Sequence, residues 1–208
     1  MSDYIIIGGG SAGCVLASRL TEDPNVQVTL LEAGPADSSV LLHCPGGLAL
    51  LAKTGQNNWK FETTPQPGLN GRKGYQPRGK VLGGSSSVNA MIYARGHQSD
   101  YDHWAEQGNP GWAWKDVLPY FKRAEHNERG GDDLHGTGGP LNVKDLTTPN
   151  RFGPVFVEAG KQAGYVANSD FNGPEQEGVG MYQVTHKNGE RCSAAKAYLT
   201  PHLSRPNL

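Results

Sequence analysis

The apolar and polar positions of the first 35 residues follow the order strand, helix, strand. Tyr4–Ile7 is a continuous apolar, β-branched run, which predicts a strand buried on both faces. From Cys14 to Leu20 apolar residues recur at helical spacing, and Asp23-Pro24 ends that helix. A second apolar run over residues 26–31 predicts another strand. The pattern therefore predicts a compact βαβ unit, which indicates an α/β fold.

Periodicity is weaker in the rest of the chain. Residues 35–78 are rich in Gly, Pro, Asn and Thr and predict long surface excursions. Helical spacing returns over residues 99–107, 115–125, 154–163 and 193–199, and no internal repeat is present. The chain contains 29 glycines and 14 prolines, an excess that indicates many tight turns or a backbone lying close to a ligand.

The turn between the first strand and the first helix carries the pattern Gly8-x-Gly10-x-x-Gly13. In a dinucleotide fingerprint the first glycine permits the tight turn, the second lets the backbone approach a pyrophosphate, and the third lets helix and strand pack closely. Ser11 and Ala12 begin the helix, whose N–H groups attract phosphate. Glu32 ends the second strand, followed by Ala33, where a carboxylate can accept hydrogen bonds from a ribose. These residues predict a dinucleotide site.

A second motif also fits this turn. Residues 9–13 also match G-x-S-x-G, the nucleophile elbow of α/β-hydrolases. Too few residues precede the turn to form the strand and loop of an oxyanion hole, and a hydrolase would give Glu32 no role. The fingerprint alone does not choose between NAD and FAD, although the acid at the strand end disfavours NADP.

Charge and composition exclude several other classes of protein. Nineteen basic and twenty acidic residues give a formal charge of −1, which argues against an electrostatic nucleic-acid binder. No apolar run approaches the roughly 20 residues of a membrane span, and no basic region precedes the first strand as a signal peptide requires. Cys14, Cys44 and Cys192 are widely spaced, which indicates free thiols rather than disulfides or a zinc site. We therefore expect a cytoplasmic protein with no metal, no nucleic-acid partner and no transmembrane segment.

The glycine- and serine-rich segment 79–96, followed by Asp102, resembles the first signature of the glucose–methanol–choline (GMC) family of flavoprotein oxidoreductases. The matched positions are Gly83, Gly84, Ser85, Ser86, Asn89, Tyr93, Gly96 and Asp102. Further matches are Glu32-Ala33-Gly34-Pro35, Asn70-Gly71-Arg72, Pro77-Arg78-Gly79-Lys80, His135-Gly136, Gly139-Pro140-Leu141 and Arg191-x-Ser193. The resemblance covers the whole chain and is greatest to bacterial choline and alcohol dehydrogenases. An NAD enzyme would leave segment 79–96 unexplained.

The resemblance implies a fold, a cofactor and its contacts. The expected fold is α/β, with an incomplete Rossmann-like FAD-binding domain over residues 1–150. Residues 151–208 are expected to form the beginning of a substrate domain and to return toward the FAD domain. The resemblance adds flavin-loop contacts to those of the fingerprint: Val81, Gly84, Ser85, Asn89, Ala90, Met91 and Ile92. Some relatives tether FAD through a histidine immediately before the asparagine, where this chain has Val88. The FAD is therefore expected to be non-covalent.

The implied activity is oxidation of a primary alcohol, choline-like or an alkanol, by hydride transfer to FAD. Electrons would pass to a non-oxygen acceptor such as a quinone, which allows peripheral association with the inner membrane. The family's catalytic histidine lies near the C-terminus of a substantially longer protein, so no catalytic residue is assigned within these 208 residues. The alternative is a truncated, non-catalytic flavin-binding fragment.

Other histidines and aromatic residues receive structural interpretations. None of the seven histidines lies in a metal-binding or triad-like pattern; they are His43, His97, His103, His126, His135, His186 and His202. Tyr93 is expected near the flavin, mainly for packing. Trp59 is interpreted as a core residue more readily than as a cofactor contact, and Trp104, Trp112 and Trp114 as core residues.

Overall fold

The predicted βαβ unit is present in the computed structural model, which describes residues Ser2–Leu208. Strand β1 (Tyr4–Ile7) runs parallel to β2 (Val28–Leu31), with Tyr4 opposite Val28 and Ile7 opposite Leu31. Helix α1 (Ser11–Leu20) connects the two strands. The α/β prediction is confirmed for this part of the chain.

The prediction that the first strand is buried on both faces is wrong. The exposed fraction is 65% for Ile5 and 88% for Ile7. Among the described residues, only β2 pairs with β1. A parallel strand becomes fully buried only when strands flank it and helices cover both faces of the sheet. The apolar run therefore predicts the strand correctly but not its surroundings.

The chain divides into two units. The first comprises the residues up to Met91 together with Asn188–Leu208, and the second comprises Ile92–Lys187. The sequence-based boundary at residue 150 falls within the second unit. The functional assignment of residues 1–150 and 151–208 stays a prediction.

The remainder of the first unit consists of short elements and turns. They are α2 (Val40–His43), α3 (Leu48–Thr54), β3 (Phe61–Glu62), β4 (Tyr75–Gln76), a 3-10 turn at Gly84–Ser87, β8 (Glu190–Arg191) and a π-helical turn at Ala195–Leu199. Leu42, Leu51 and Val81 form a buried apolar cluster. Val88 packs against this cluster, so the cluster supports the segment that follows the second glycine-rich turn.

The second unit contains the three longer helices predicted after residue 96. Its elements are α4 (Gln98–Glu106), α5 (Trp114–Ala124), β5 (Glu125–Asn127), β6 (Leu141–Val143), α6 (Phe152–Gln162) and β7 (His186–Lys187). Strand β5 runs parallel to β6. Every helix in residues 2–208 is too short or too polar to span a bilayer.

A buried ionic network organises the second unit around Glu125, whose side chain is fully buried. Arg95 Nη2 donates to Glu125 Oε2 at 2.7 Å, and the Gly136 N–H donates to the same oxygen at 2.9 Å. The two ring nitrogens of His135 lie 3.1 Å from Glu125 Oε1 and 2.9 Å from Asp170 Oδ2. Because each ring nitrogen faces a carboxylate, the imidazolium form satisfies both contacts.

The network shifts the ionisation of its members. The hydrogen bond to Glu125 raises the pKa of His135, and this effect outweighs burial, which lowers it. Burial alone raises the pKa of Glu125, but the hydrogen bonds from His135 and Gly136 and the charge of Arg95 bring it below its usual value. The network therefore favours the imidazolium form of His135 and the carboxylate form of Glu125.

We predict that this network makes stability fall as the pH rises. Because folding raises the pKa of His135, its protonated form stabilises the native state at pH values below the unfolded pKa of about 6.5. This contribution is lost as the pH rises through the folded pKa. His135→Gln should lower the free energy of unfolding at pH 6 by about 3 kcal/mol and remove the pH dependence above 6.5. Tryptophan fluorescence during urea denaturation measures both effects.

The control for this prediction is His103→Gln. His103 lies 3.7 Å from Glu106, but both side chains are largely exposed, so the expected change is within about 0.5 kcal/mol. Equal pH profiles for wild type and His135→Gln would contradict the imidazolium assignment.

Candidate cofactor site

A groove of about 670 Å³ lies at the carboxyl ends of β1 and β2 in the first unit. Ligands of open α/β sheets bind outside the carboxyl ends of the strands, and this volume is ordinary for a small-molecule site. The lining residues are Ile7, Gly8, Gly10, Ser11, Leu31, Glu32, Ala33, Trp59, Arg78, Gly79, Gly84 and Ser85.

The three fingerprint glycines have different structural roles. Gly8 has φ +101°, a conformation that favours glycine. A Cβ at Gly13 would lie 1.9 Å from the Gly8 carbonyl oxygen, so a side chain there would force the turn away from the helix. A Cβ at Gly10 would meet no atom closer than the Gly84 Cα at 4.0 Å. Protein packing therefore requires glycine at position 13, whereas Gly10 leaves space that a ligand can fill.

The amino end of α1 is available for an anion. Gly10 is the N-cap residue, no side chain caps the helix, and its first turn contains no acidic residue. The first N–H groups of a helix lack intrahelical acceptors and carry the positive end of the helix dipole. Ser11 and Ala12 are exposed at this end. The arrangement suits a phosphate or pyrophosphate.

Glu32 is fixed at the edge of the groove by two backbone donors. The Gly9 N–H donates to Oε2 at 2.7 Å, and the Gly34 N–H donates to Oε1 at 2.8 Å. Each carboxylate oxygen can accept a further hydrogen bond. Glu32 can therefore bind hydroxyl groups of a ligand in the groove without losing the contacts that orient it.

The second glycine-rich segment packs directly against the first. The Gly83 N–H donates to the Gly9 carbonyl at 2.7 Å. Gly84 has φ +55°, and a Cβ there would lie 2.8 Å from the Gly10 Cα. The structure thus brings part of the predicted set into one groove, namely Gly8, Gly10, Ser11, Glu32, Ala33, Gly84 and Ser85.

Other predicted contacts lie outside the lining of this groove. Gly13 is buried behind the turn, and the Val81 side chain is fully buried in the apolar cluster. Asn89 and Ala90 are exposed, Met91 is buried, and Ile92 begins the second unit. Their cofactor contacts, like that of Ala12, remain predictions from the resemblance.

Sequence reasoning missed one side of the groove. Trp59 is 42% exposed and lines the groove beside Arg78 and Gly79, so the favoured interpretation as a core residue is wrong, and the alternative, a cofactor contact, stays a prediction. Its ring stacks on Phe61 at 5.8 Å, and Lys80 Nζ lies 4.4 Å from its centroid. The signal that could have indicated a groove position was a tryptophan within the polar, aperiodic segment 35–78.

The other tryptophans also differ from the prediction. Trp104 and Trp112 are 45% and 52% exposed, and their rings contact each other at 5.7 Å in the second unit. Trp114 is half-buried and packs beside Tyr101. The prediction of core positions is therefore wrong for Trp104 and Trp112, whose rings pack against each other at the surface.

No histidine lines the groove. His97 caps α4, while His135 belongs to the buried ionic network. Residues 2–208 contain no group of three or more His, Cys, Asp or Glu side chains that could hold a metal. The groove thus offers backbone donors and one carboxylate but no histidine base.

The thiol nearest to the turn is chemically inert. Cys14 Sγ donates to the Gly9 carbonyl at 3.2 Å. Burial raises the pKa of Cys14 to about 11, so the side chain is a neutral thiol at physiological pH. Its role is to support the glycine turn from behind.

Comparisons with known proteins agree on one family. Residues 2–208 match the family described as GMC oxidoreductase. The chain is 53% identical over 209 residues to an alcohol dehydrogenase [acceptor] of Pseudomonas putida and 50% identical over 207 residues to an oxygen-dependent choline dehydrogenase of Sinorhizobium fredii. These matches cover all of this chain but only 38% of either relative.

Solved structures share the fold. Pyridoxine 4-oxidase from Mesorbium loti superposes with a TM-score of 0.93 at 37% identity, over 100% of this chain and 41% of that structure. An FAD-dependent oxidoreductase from Chaetomium thermophilum gives 0.90 at 32% identity, over 100% of this chain and 37% of that structure.

We predict that alanine lowers the free energy of unfolding much more at Gly13, where packing requires glycine, than at Gly10, which faces open space. Gly13→Ala places a methyl group against the Gly8 carbonyl and should lower the free energy of unfolding by about 3 kcal/mol. Gly10→Ala should change it by less than about 1 kcal/mol, mainly through the N-cap preference. Chemical denaturation measures both values, and equal losses would contradict the assigned roles.

Proposed function

The chain belongs to the GMC oxidoreductase family, and we propose that it supplies the FAD-binding part of an enzyme that oxidises a primary alcohol to an aldehyde. The observation that carries this proposal is the groove in which two glycine-rich backbones meet beside an uncapped helix N-terminus. The chain spans about 38% of the length of the curated relatives described above. The activity, substrate and acceptor of the whole protein are accordingly part of the proposal.

Each part of the groove has a proposed role. The N–H groups at Gly10 and Ser11 bind the pyrophosphate, and Glu32 accepts hydrogen bonds from the adenosine ribose. Gly84 and Ser85 lie along the cofactor, with Asn89–Ile92 contacting the flavin. When bound, FAD would supply the hydride acceptor for oxidation of the alcohol. The open space at Gly10 and the backbone approach at Gly84 support this assignment, since a Cβ at Gly10 would occupy ligand space and a Cβ at Gly84 would clash with the Gly10 backbone.

The cofactor is proposed to be non-covalent. Val88 stands where some relatives carry the linking histidine, and its aliphatic side chain packs against the buried cluster of Leu42, Leu51 and Val81. An alkyl side chain cannot form the bond. No histidine among the groove-lining residues offers a substitute.

The substrate is proposed to be a small primary alcohol, choline-like or an alkanol. The more similar relative is named for an unspecified acceptor and the less similar one for oxygen; we favour a non-oxygen acceptor such as a quinone, with the protein in the cytoplasm or peripheral to the inner membrane. The base that takes the hydroxyl proton must lie within hydrogen-bond reach of the substrate. The resemblance assigns this role to a histidine near the C-terminus of a longer protein, so we propose that the base lies outside residues 2–208.

The first prediction of the proposal concerns cofactor affinity. Gly10→Ala should raise the dissociation constant of FAD at least tenfold, because the added methyl group occupies ligand space while the fold is retained. Quenching of flavin fluorescence on titration measures this constant. Gly68→Ala is the matched control, since a Cβ there meets no atom within 4 Å and the residue lies outside the groove lining.

Two outcomes would overturn this part of the proposal. Failure of the wild-type chain to bind FAD would remove it, and equal affinity of the Gly10→Ala and Gly68→Ala variants would place the cofactor elsewhere. Acid precipitation of the complex should leave all flavin in the supernatant; flavin in the pellet would contradict non-covalent binding.

The second prediction concerns catalysis. When the FAD-loaded 208-residue chain is mixed anaerobically with choline or an alkanol, we expect the flavin absorbance to remain that of the oxidised form, because the proposed base lies outside these residues. Bleaching of that absorbance by an alcohol would contradict the location of the base. The alternative function, a non-catalytic flavin-binding fragment, would likewise leave the flavin oxidised. A longer protein that contains these residues distinguishes the two functions, because the proposed enzyme would let the alcohol reduce the bound flavin.

A further inference from the structure

Arg191 is a buried arginine that binds the segment after the Gly84–Ser87 turn. Its side chain is 1% exposed. Nε donates to the Leu42 carbonyl at 2.9 Å, and Nη1 donates to the carbonyls of Ser86 at 3.2 Å and Asn89 at 2.7 Å. Nη1 also lies 2.8 Å from Asn89 Oδ1. One guanidinium therefore joins backbone positions that are more than 40 residues apart.

The positive charge of Arg191 has no carboxylate partner among the described residues. Its acceptors are carbonyl and amide oxygens, and Nη2 is buried without a hydrogen-bond partner. Burial lowers the pKa of Arg191 to about 10, so the side chain is still charged at neutral pH. A buried, unpaired charge is unfavourable, so its presence at this position calls for an explanation beyond packing.

The contacts of Arg191 fix a segment of unusual conformation. Asn89 Oδ1 accepts the Met91 N–H at 3.0 Å as well as the Arg191 donor. Met91 has φ +62°, a backbone conformation that is uncommon outside glycine. The amides of Val88 and Asn89 both donate to the Ser85 carbonyl. Arg191 thus braces residues 86–91 from the protein interior.

We propose that Arg191 is a positioning residue that holds residues 86–91 in the conformation that contacts the flavin. The inference rests on the proposed function for the presence of FAD, but the bracing itself is a property of the unliganded chain. The planar fork of an arginine can reach Leu42, Ser86 and Asn89 together, whereas the single ammonium of lysine cannot. Lysine at position 191 would keep the charge and lose part of the geometry.

The experiment compares Arg191→Met and Arg191→Lys with a matched control, Arg205→Met. Arg205 is also partly buried in the first unit and donates to the Ser18 carbonyl and Thr21 Oγ1, away from residues 86–91. Hydrogen exchange of the unliganded chain by NMR reports on the brace. The visible circular dichroism of bound FAD reports on the flavin environment.

In Arg191→Met we expect the Val88 and Asn89 amides to exchange at least tenfold faster, the FAD dissociation constant to rise at least tenfold, and the visible circular dichroism to change. Arg191→Lys should give intermediate values. Arg205→Met should lower the unfolding midpoint without altering exchange at residues 88–89 or the flavin signal.

Wild-type exchange at residues 88–89 in Arg191→Met would overturn the brace, even if the chain binds no FAD. Loss of FAD binding by wild type would instead overturn the proposed function. Faster exchange with unchanged FAD affinity and circular dichroism would overturn the link to the flavin. If Arg191→Met does not fold, Arg191→Lys decides, and wild-type exchange and spectra in that variant would refute the inference.

Discussion

The candidate site depends on the close contact of two glycine-containing backbones. The Gly83 N–H binds the Gly9 carbonyl at 2.7 Å, and a Cβ at Gly84 would lie 2.8 Å from the Gly10 Cα. A side chain at Gly84 would clash with the Gly10 backbone and push the two segments apart. The protein itself thus requires small residues at some of these positions, before any ligand is considered. The N–H groups at Gly10 and Ser11 are consequently ordered before a ligand binds, which reduces the entropy lost on binding.

The parts of the site that could be predicted from the sequence are local. The turn, helix and acid of the βαβ unit fall within 35 residues, and their geometry follows from backbone sterics and strand–helix packing. Gly13 illustrates this, because its need for glycine arises from a carbonyl only five residues away. Glu32 is similar, since the end of β2 brings it beside the turn. The resemblance supplied the second segment, whose meeting with the first is non-local.

Burial and long-range polar contacts could not be predicted in the same way. Ile7 belongs to an apolar run yet is 88% exposed, and Trp59 lines the groove rather than a core. Both outcomes depend on which distant segments pack nearby, and hydropathy along the chain does not encode that. Glu125 and Arg191 are stronger cases, because charged residues are seldom fully buried. The cationic partners of Glu125, His135 and Arg95, lie ten and 30 residues away along the chain, and the nearest acceptor of Arg191 lies 102 residues away.

The two units bury charge in different ways, and the difference bears on function. In the second unit Arg95 and His135 face Glu125, so attraction between opposite charges offsets much of the desolvation penalty. In the first unit Arg191 has only neutral oxygens as acceptors and retains an unsatisfied Nη2. Opposite charges compensate one another in the paired network, whereas only hydrogen bonds to neutral oxygens offset the desolvation penalty of Arg191. The retained guanidinium is therefore best explained by the shape that it imposes on residues 86–91, since no apolar side chain can fix carbonyl groups.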